Sequence, residues 1–99
     1  MSLPIRFLPE ANEEFEHAIE WYADRGKDLA RDFVARVGAI VRRVAAQPTM
    51  HANVYKDVRK AVLTRFPYIV LYREDNEELV VISVFHTSRN PDEWQSRVN

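Results

Sequence analysis

The residues of this sequence best suited to hold an anion are crowded between His51 and Arg73, where Lys56, Arg59, Lys60, Arg65 and Arg73 face one acid, Asp57, for a local formal charge of +4. Glu10 to Asp24 is the opposite case, with six acids and no Lys or Arg. The net charge of −1 therefore hides an acidic and a basic end, and the basic end is either a directed anion-binding surface or an ordinarily solvated one. Other reactive types are sparse. His17 and His51 lack partners at metal-ligand spacing, and Glu13, Glu14 and His17 on one helix match a carboxylate and histidine site only weakly, so neither a metal nor a cofactor is assigned. Two glycines leave no glycine-rich phosphate loop, and no nucleophile motif is present. Trp21 beside Tyr22 reads first as packing at the rim of a core. Tyr68 and Tyr72 fall on one face of a central strand, where buried hydroxyls would need partners.

The elements that must position these residues follow from periodicity. Leu3, Ile5 and Phe7 alternate around Pro4 and Arg6, giving a short edge strand with its proline at the start. Pro9 suits the first turn of a helix, and Glu10 and Glu13 follow where the helix dipole favours acids. Ala11, Phe15, Ala18, Ile19 and Tyr22 form one apolar stripe along it. Gly26 is placed to close this helix as a left-handed cap. Asp28 then reads as the N-cap of a second helix, with Leu29, Phe33, Val37, Ile40, Val41 and Val44 as its stripe and Pro48 stopping it. The outer face carries Arg31, Asp32, Arg36, Arg42 and Arg43, and Asp32 can pair with Arg36 one turn on. Gly38 costs about 1 kcal/mol relative to alanine there, so either another element crosses closely or the cost is simply tolerated.

The short link from Asp24 to Asp28 makes the two helices an antiparallel hairpin. Val58–Thr64, Phe66–Arg73 and Leu79–Phe85 are strand-like and form an antiparallel meander, the last two joined through Glu74, Asp75, Asn76 and Glu77. The final strand is apolar on both faces, which calls for cover from the hairpin on one side and from tail residues on the other. The expected order is βααβββ: an α+β fold in which the helical hairpin packs on a small, mostly antiparallel four-stranded sheet. Its core should include Phe15, Ile19, Phe33, Val37, Val70, Tyr72, Ile82 and Val84.

At 99 residues and 46% hydrophobic, the chain is expected to be one domain, residues 1–99. The absence of cysteine leaves no disulfide framework or thiolate metal site and makes a cytoplasmic location the default. No secretion signal and no apolar run of ~20 residues is evident, so no membrane partner is expected.

Three segments carry a family resemblance. LPEANEEFEHAIEWY, residues 8–22, is similar to the opening helix of the RelE/ParE toxin superfamily, with its proline, alanine and closing aromatic residues. VRKAVLTRFPYIVLYR, residues 58–73, resembles that superfamily's basic strand, its phenylalanine, proline, tyrosine step and the tyrosine that follows. VVISVFHTSRNPDEW, residues 80–94, looks like its last strand and its histidine, arginine, proline tail. The resemblance implies the toxin of a type II toxin–antitoxin system, of the kind tied to plasmid stabilization, neutralised by a cognate antitoxin that folds as it binds.

Two activities are implied. RelE-like members cut messenger RNA inside the ribosome, with clustered Lys and Arg stabilising the transition state and a Tyr, His or Glu moving protons. ParE-like members are not nucleases and block DNA gyrase by binding it. For the first activity the resemblance assigns Arg59, Lys60, Arg65, His86 and Arg89 as the catalytic set of a metal-independent endoribonuclease, with His86 as acid or base and the four cations on one surface beside it. The plainer account has Arg59 and Lys60 solvated, Arg89 paired with Asp92 or Glu93, and His86 capping the strand.

Several features lean towards the ParE-like branch, a binding module rather than an enzyme. No glutamate flanks the basic residues on the second strand, and Trp94 stands in the tail where the nucleases often have tyrosine. A pI near 6.3 suits ribosomal RNA poorly. The long helical hairpin points the same way. The antitoxin is expected to fill a hydrophobic groove at Trp21 and Tyr22 and to set its acids against Arg59 and Lys60, a homodimer contact being the other use of such a surface.

Overall fold

The computed structural model describes residues 2–98. The first strand, β1 (Ile5–Phe7), runs directly into α1 (Pro9–Ala23), with Pro9 as the first helical residue behind an extended Leu8. Proline is tolerated there because its missing N–H would have no intrahelical partner. Ala11, Ala18 and Tyr22 are buried along α1, while Phe15 and Ile19, expected in the core, are half-buried at its margin.

Gly26 has φ 162°, an extended rather than left-handed backbone, and takes the N-cap position of α2 (Lys27–Ala46). Neither the left-handed cap at Gly26 nor the N-cap at Asp28 forms; Asp28 lies in the first helical turn, where its charge meets the positive end of the dipole. Phe33, Val37, Val41 and Val44 are buried as the periodicity requires, and Ala30 and Ala45 join them. The nearest atoms a Cβ at Gly38 would meet belong to the flexible guanidinium of Arg42, at 3.1 Å, so among the described residues no other element makes the close approach that would require glycine there. Asp32 does not pair with Arg36. It accepts from Arg65 at 2.9 Å, while Arg36 donates to the Thr64 hydroxyl at 2.7 Å. Both contacts tie the outer face of α2 to the 63–67 loop.

Among the described residues five strands form the sheet rather than four. The additional one, β2 (Asn53–Tyr55), is three residues long and irregular in register, too short to show an alternating pattern. With β3 (Val58–Val62), β4 (Tyr68–Asp75) and β5 (Glu78–His86), the order is β1-β5-β4-β3-β2; β1 pairs with β5 in parallel and every other pairing is antiparallel. The β4–β5 connection is tighter than the four residues expected. Asn76 and Glu77 alone make the turn, with φ of 50° and 62°, the two left-handed residues whose twist suits a two-residue hairpin.

Apolar side chains fill both faces. On the hairpin face Phe33, Val37, Val70, Tyr72, Val81 and Val84 pack together. On the other face Val58, Leu71, Val80, Ile82 and Phe85 are covered by Trp94 and Val98 of the tail, where a single helical turn, α3 (Asp92–Gln95), sits. The expected double cover of the last strand is present. In β5, Leu71↔Ser83 and Tyr72↔Val81 leave Ile82 without an opposite residue, a bulge that re-aims the residues after it.

Candidate functional site

A groove of about 770 Å³ opens between α1, the start of β4 and the end of β5 with the tail beyond it. The α1 wall is one helical face, Glu10, Glu13, Glu14, His17 and Trp21, on neighbouring turns of the helix. Its floor is Tyr22 and Tyr68, with ring centroids 6.3 Å apart, and the His86 ring stands edge-on to Tyr68 at 5.0 Å. Burial raises the pKa of both tyrosines; for Tyr68 the neighbouring Tyr22 and Glu14 raise it further, while Arg89 pulls it down. Both phenols therefore stay protonated at neutral pH.

Along one side of the groove, opposite charges close on each other. β1 pairs with β5 only as far as Val81, so beyond that point this edge of β5 lacks a strand neighbour among the described residues. The Glu14 carboxylate accepts from the Ser83 hydroxyl at 2.8 Å and the Val84 N–H at 3.3 Å. Both its oxygens also receive the Arg97 guanidinium at 3.0 Å, and Arg97 donates to the Ile82 carbonyl as well. A carboxylate from residue 14 and a guanidinium from residue 97 thus take the place of a sixth strand. Glu14 and Arg97 are functional in this structural sense; sequence reasoning weighed Glu14 only as a weak metal ligand and did not single out Arg97. Glu14 had a readable signal, since it lies on the apolar stripe between Ala11 and Ala18; Arg97 had none.

Of the catalytic and antitoxin-binding candidates from sequence, the groove gathers His86, Arg89, Trp21 and Tyr22, and it also takes in Glu13, Glu14, His17 and Tyr68. Arg89 is bound to Glu93 at 2.6 Å and stands 4.0 Å from Glu14. The His86 Nδ1 accepts from the Ser88 N–H at 3.1 Å and lies 2.8 Å from its hydroxyl, closing the turn after β5. Trp21 is 51% exposed, with the Arg25 guanidinium over its ring.

Arg59, Lys60 and Arg65 lie elsewhere. Arg59 pairs across the sheet with Tyr72, on the hairpin face, and donates to the His51 carbonyl. Lys60 pairs with Leu71, on the opposite face, and is exposed. Arg65 sits in the 63–67 loop at φ 74°, bonded to Asp32. The common cationic surface expected of Arg59, Lys60, Arg65 and Arg89 does not form, because adjacent strand residues point to opposite faces. Among the described residues no three His, Asp or Glu side chains gather at metal-binding distance, and no helix is long and apolar enough to cross a membrane.

The described residues form a helical hairpin on a mostly antiparallel sheet, with a mixed-charge groove beside α1. The family model for the ParE toxin of the type II toxin–antitoxin system, parDE, matches residues 5–91. The chain belongs to this family, and so to the RelE/ParE superfamily. Toxin ParE2 of Mycobacterium tuberculosis, in two strains, is 26% identical over 100 residues, spanning 100% of this chain and 95% of the relative. A chain from the chromosomal ParDE TA system of P. aeruginosa has the same fold, with a TM-score of 0.72 at 18% identity over 88% of this chain and 98% of that one.

Proposed function

We propose that this ParE-family toxin acts by binding and inhibiting DNA gyrase, and that a cognate antitoxin neutralises it. The observation that carries the reading is the dispersal of the cations. Phosphoryl chemistry on RNA needs several positive groups aimed at one phosphate. Here Arg59 and Lys60 leave β3 on opposite faces, Arg65 is bound to Asp32, and Arg89 is bound to Glu93. A ribosome-dependent nuclease is correspondingly disfavoured. Family membership, together with the fold shared with a chain of the P. aeruginosa ParDE TA system, supports an antitoxin partner. That antitoxin covers Trp21 and Tyr22 in the groove and continues across the sheet to Arg59 and Lys60, wrapping the domain as a segment that is disordered when alone. The test is to assay the purified protein in parallel for inhibition of gyrase supercoiling and for ribosome-dependent cleavage of messenger RNA. Inhibition without cleavage is expected; cleavage lost on Arg59→Glu with Lys60→Glu would restore the enzyme reading.

A further inference from the structure

The outer faces of the two helices carry opposite charge in matched order. On α1 the residues turned away from the sheet are Glu13, Glu16, Glu20 and Asp24, one helical stripe of four exposed acids. On α2 the corresponding stripe is Arg31, Ala35, Gly38 and Arg42, a cation at each end and small residues between. Among the described residues no ion pair holds the four acids or Arg42, and Arg31 meets only Asp28, at 3.6 Å. The heights match as well. Phe33 packs against both Phe15 and Tyr22, so in the antiparallel hairpin it stands between them. Counting outward from that level sets Glu20 and Asp24 beside the start of α2 near Arg31, and Glu13 beside Gly38. The Arg42 guanidinium folds back to that same level, 3.1 Å from where a Gly38 Cβ would stand. Gly38 lowers helix propensity, and among the described residues nothing makes the close approach that would call for it.

We propose that this face binds a second copy of the chain about a two-fold axis parallel to the helices, so that α1 of each copy lies antiparallel on α2 of the other. Such an axis keeps every residue at its own height. Arg31 then meets Glu20 and Asp24 of the second copy, Arg42 meets its Glu13, and Ala35 and Gly38 let the helices approach closely between these contacts. The two stripes select this occupant. A two-fold axis across the helices would lay α1 on α1, acids against acids. An acidic helix of another protein, or a nucleic-acid backbone, would suit α2 but would also meet the four carboxylates of α1 alongside. A second hairpin presents both signs in the order required. Exposed ion pairs are individually weak, so the dimer is weak and salt-sensitive. Its formation is independent of gyrase being the target and of the groove beside α1.

The experiment is analytical sedimentation of the full chain over a concentration series up to about 1 mM, in about 0.05 M and about 1 M salt. A dimer is expected in low salt, with a dissociation constant at least about tenfold weaker in high salt. Glu13→Arg with Glu20→Arg, and separately Arg31→Glu with Arg42→Glu, should each be monomeric, because the facing residues then carry the same sign. Mixed in equal amounts, the two variants should restore a dimer, since each contact again joins opposite charges. Gly38→Gln, at the closest approach, should weaken dimerisation by at least about tenfold while circular dichroism shows an unchanged fold. If a reversed variant does not fold, Gly38→Gln and the salt series decide. A chain monomeric at every concentration, a dimer that survives either reversal or Gly38→Gln, or folded variants that stay monomeric when mixed overturns the proposal. Duplex DNA binding lost on Arg31→Glu with Arg42→Glu, with no dimer formed, overturns it in favour of a nucleic-acid face. None of these outcomes bears on gyrase inhibition, which its own assay decides.

Discussion

The β5 edge and the β3 strand handle charge in opposite ways. At β5, a carboxylate and a guanidinium 83 residues apart in sequence meet through two 3.0 Å contacts and close an unpaired strand edge. At β3, two cations adjacent in sequence are sent to opposite faces of the sheet. In the first region charge is structural, held by backbone groups that would otherwise be unsatisfied. In the second, among the described residues, nothing holds the exposed Lys60 ammonium and Arg59 is tied only through the His51 carbonyl. Sequence proximity thus predicts little about which charges act together; the strand alternation and the fold-back of the tail decide it.

Both regions depend on the core beneath the hairpin, so the largest expected effect comes from removing its centre. Phe33 is fully buried and packs against the rings of Phe15, Tyr22, Phe66 and Tyr68. Phe33→Ala should destabilise by roughly 3–5 kcal/mol in urea unfolding, a large share of a small domain's stability. A loss below about 1 kcal/mol would place Phe33 outside the cooperative core.

The next effect separates the two regions. Glu14 and Arg97 retain only 10% and 14% of their side-chain exposure. Glu14→Ala should therefore cost about 2–3 kcal/mol, somewhat under the range for removing one member of a fully buried pair. The loss includes the acceptor for Val84 and Ser83 as well as the partner of Arg97. A double-mutant cycle with Arg97→Ala should show strong coupling, and hydrogen exchange at the Val84 amide should accelerate. Additive losses in the two single variants would mean that the ion pair and the edge cap act separately.

How much of this can be read from the sequence differs by element, for physical reasons. Long apolar stripes place both helices and most of their buried residues, and the double apolar pattern of Leu79–Phe85 correctly calls for cover on both faces. Short-range chemistry is harder to read. β2 has three residues, fewer than any alternation needs, and Gly26 starts a helix in an extended conformation instead of ending one. The basic cluster is visible as composition, but its splitting across the sheet depends on register, which a count of charges cannot supply. The Glu14–Arg97 pair lies beyond the reach of any local pattern on the Arg97 side.

Tyr72 offers a smaller effect, beneath the basic strand. Its side chain is fully buried, and its hydroxyl donates to the Pro48 carbonyl at 3.3 Å. Burial raises its pKa, with Arg59 and the bond from the His51 backbone partly opposing. The folded state therefore keeps a proton that the unfolded chain releases near the ordinary tyrosine value of 10.0. Stability should be flat with respect to this group at lower pH and fall as the pH rises above about 10. Tyr72→Phe should cost about 1 kcal/mol at neutral pH, for the lost hydrogen bond, and make that alkaline decline shallower. An unchanged decline would assign it to Tyr22 and Tyr68, whose values burial also raises.

The smallest expected effect is the sharpest test of the contrast between the two regions. Lys60 is exposed on the face opposite Arg59, and among the described residues no hydrogen bond or ion pair holds its ammonium. Lys60→Glu should therefore change stability by less than about 0.5 kcal/mol, as is usual for surface positions away from caps and networks. Arg59→Glu should cost more, since it removes the bond to His51 and sets a carboxylate near the neutral Tyr72 hydroxyl. If the two residues act independently, the double variant should equal the sum of the singles, because each sits among different neighbours on its own face of the sheet. A coupling above about 1 kcal/mol between them in urea unfolding would show that the two cations share an environment after all, and would remove the dispersal on which the non-nuclease reading depends.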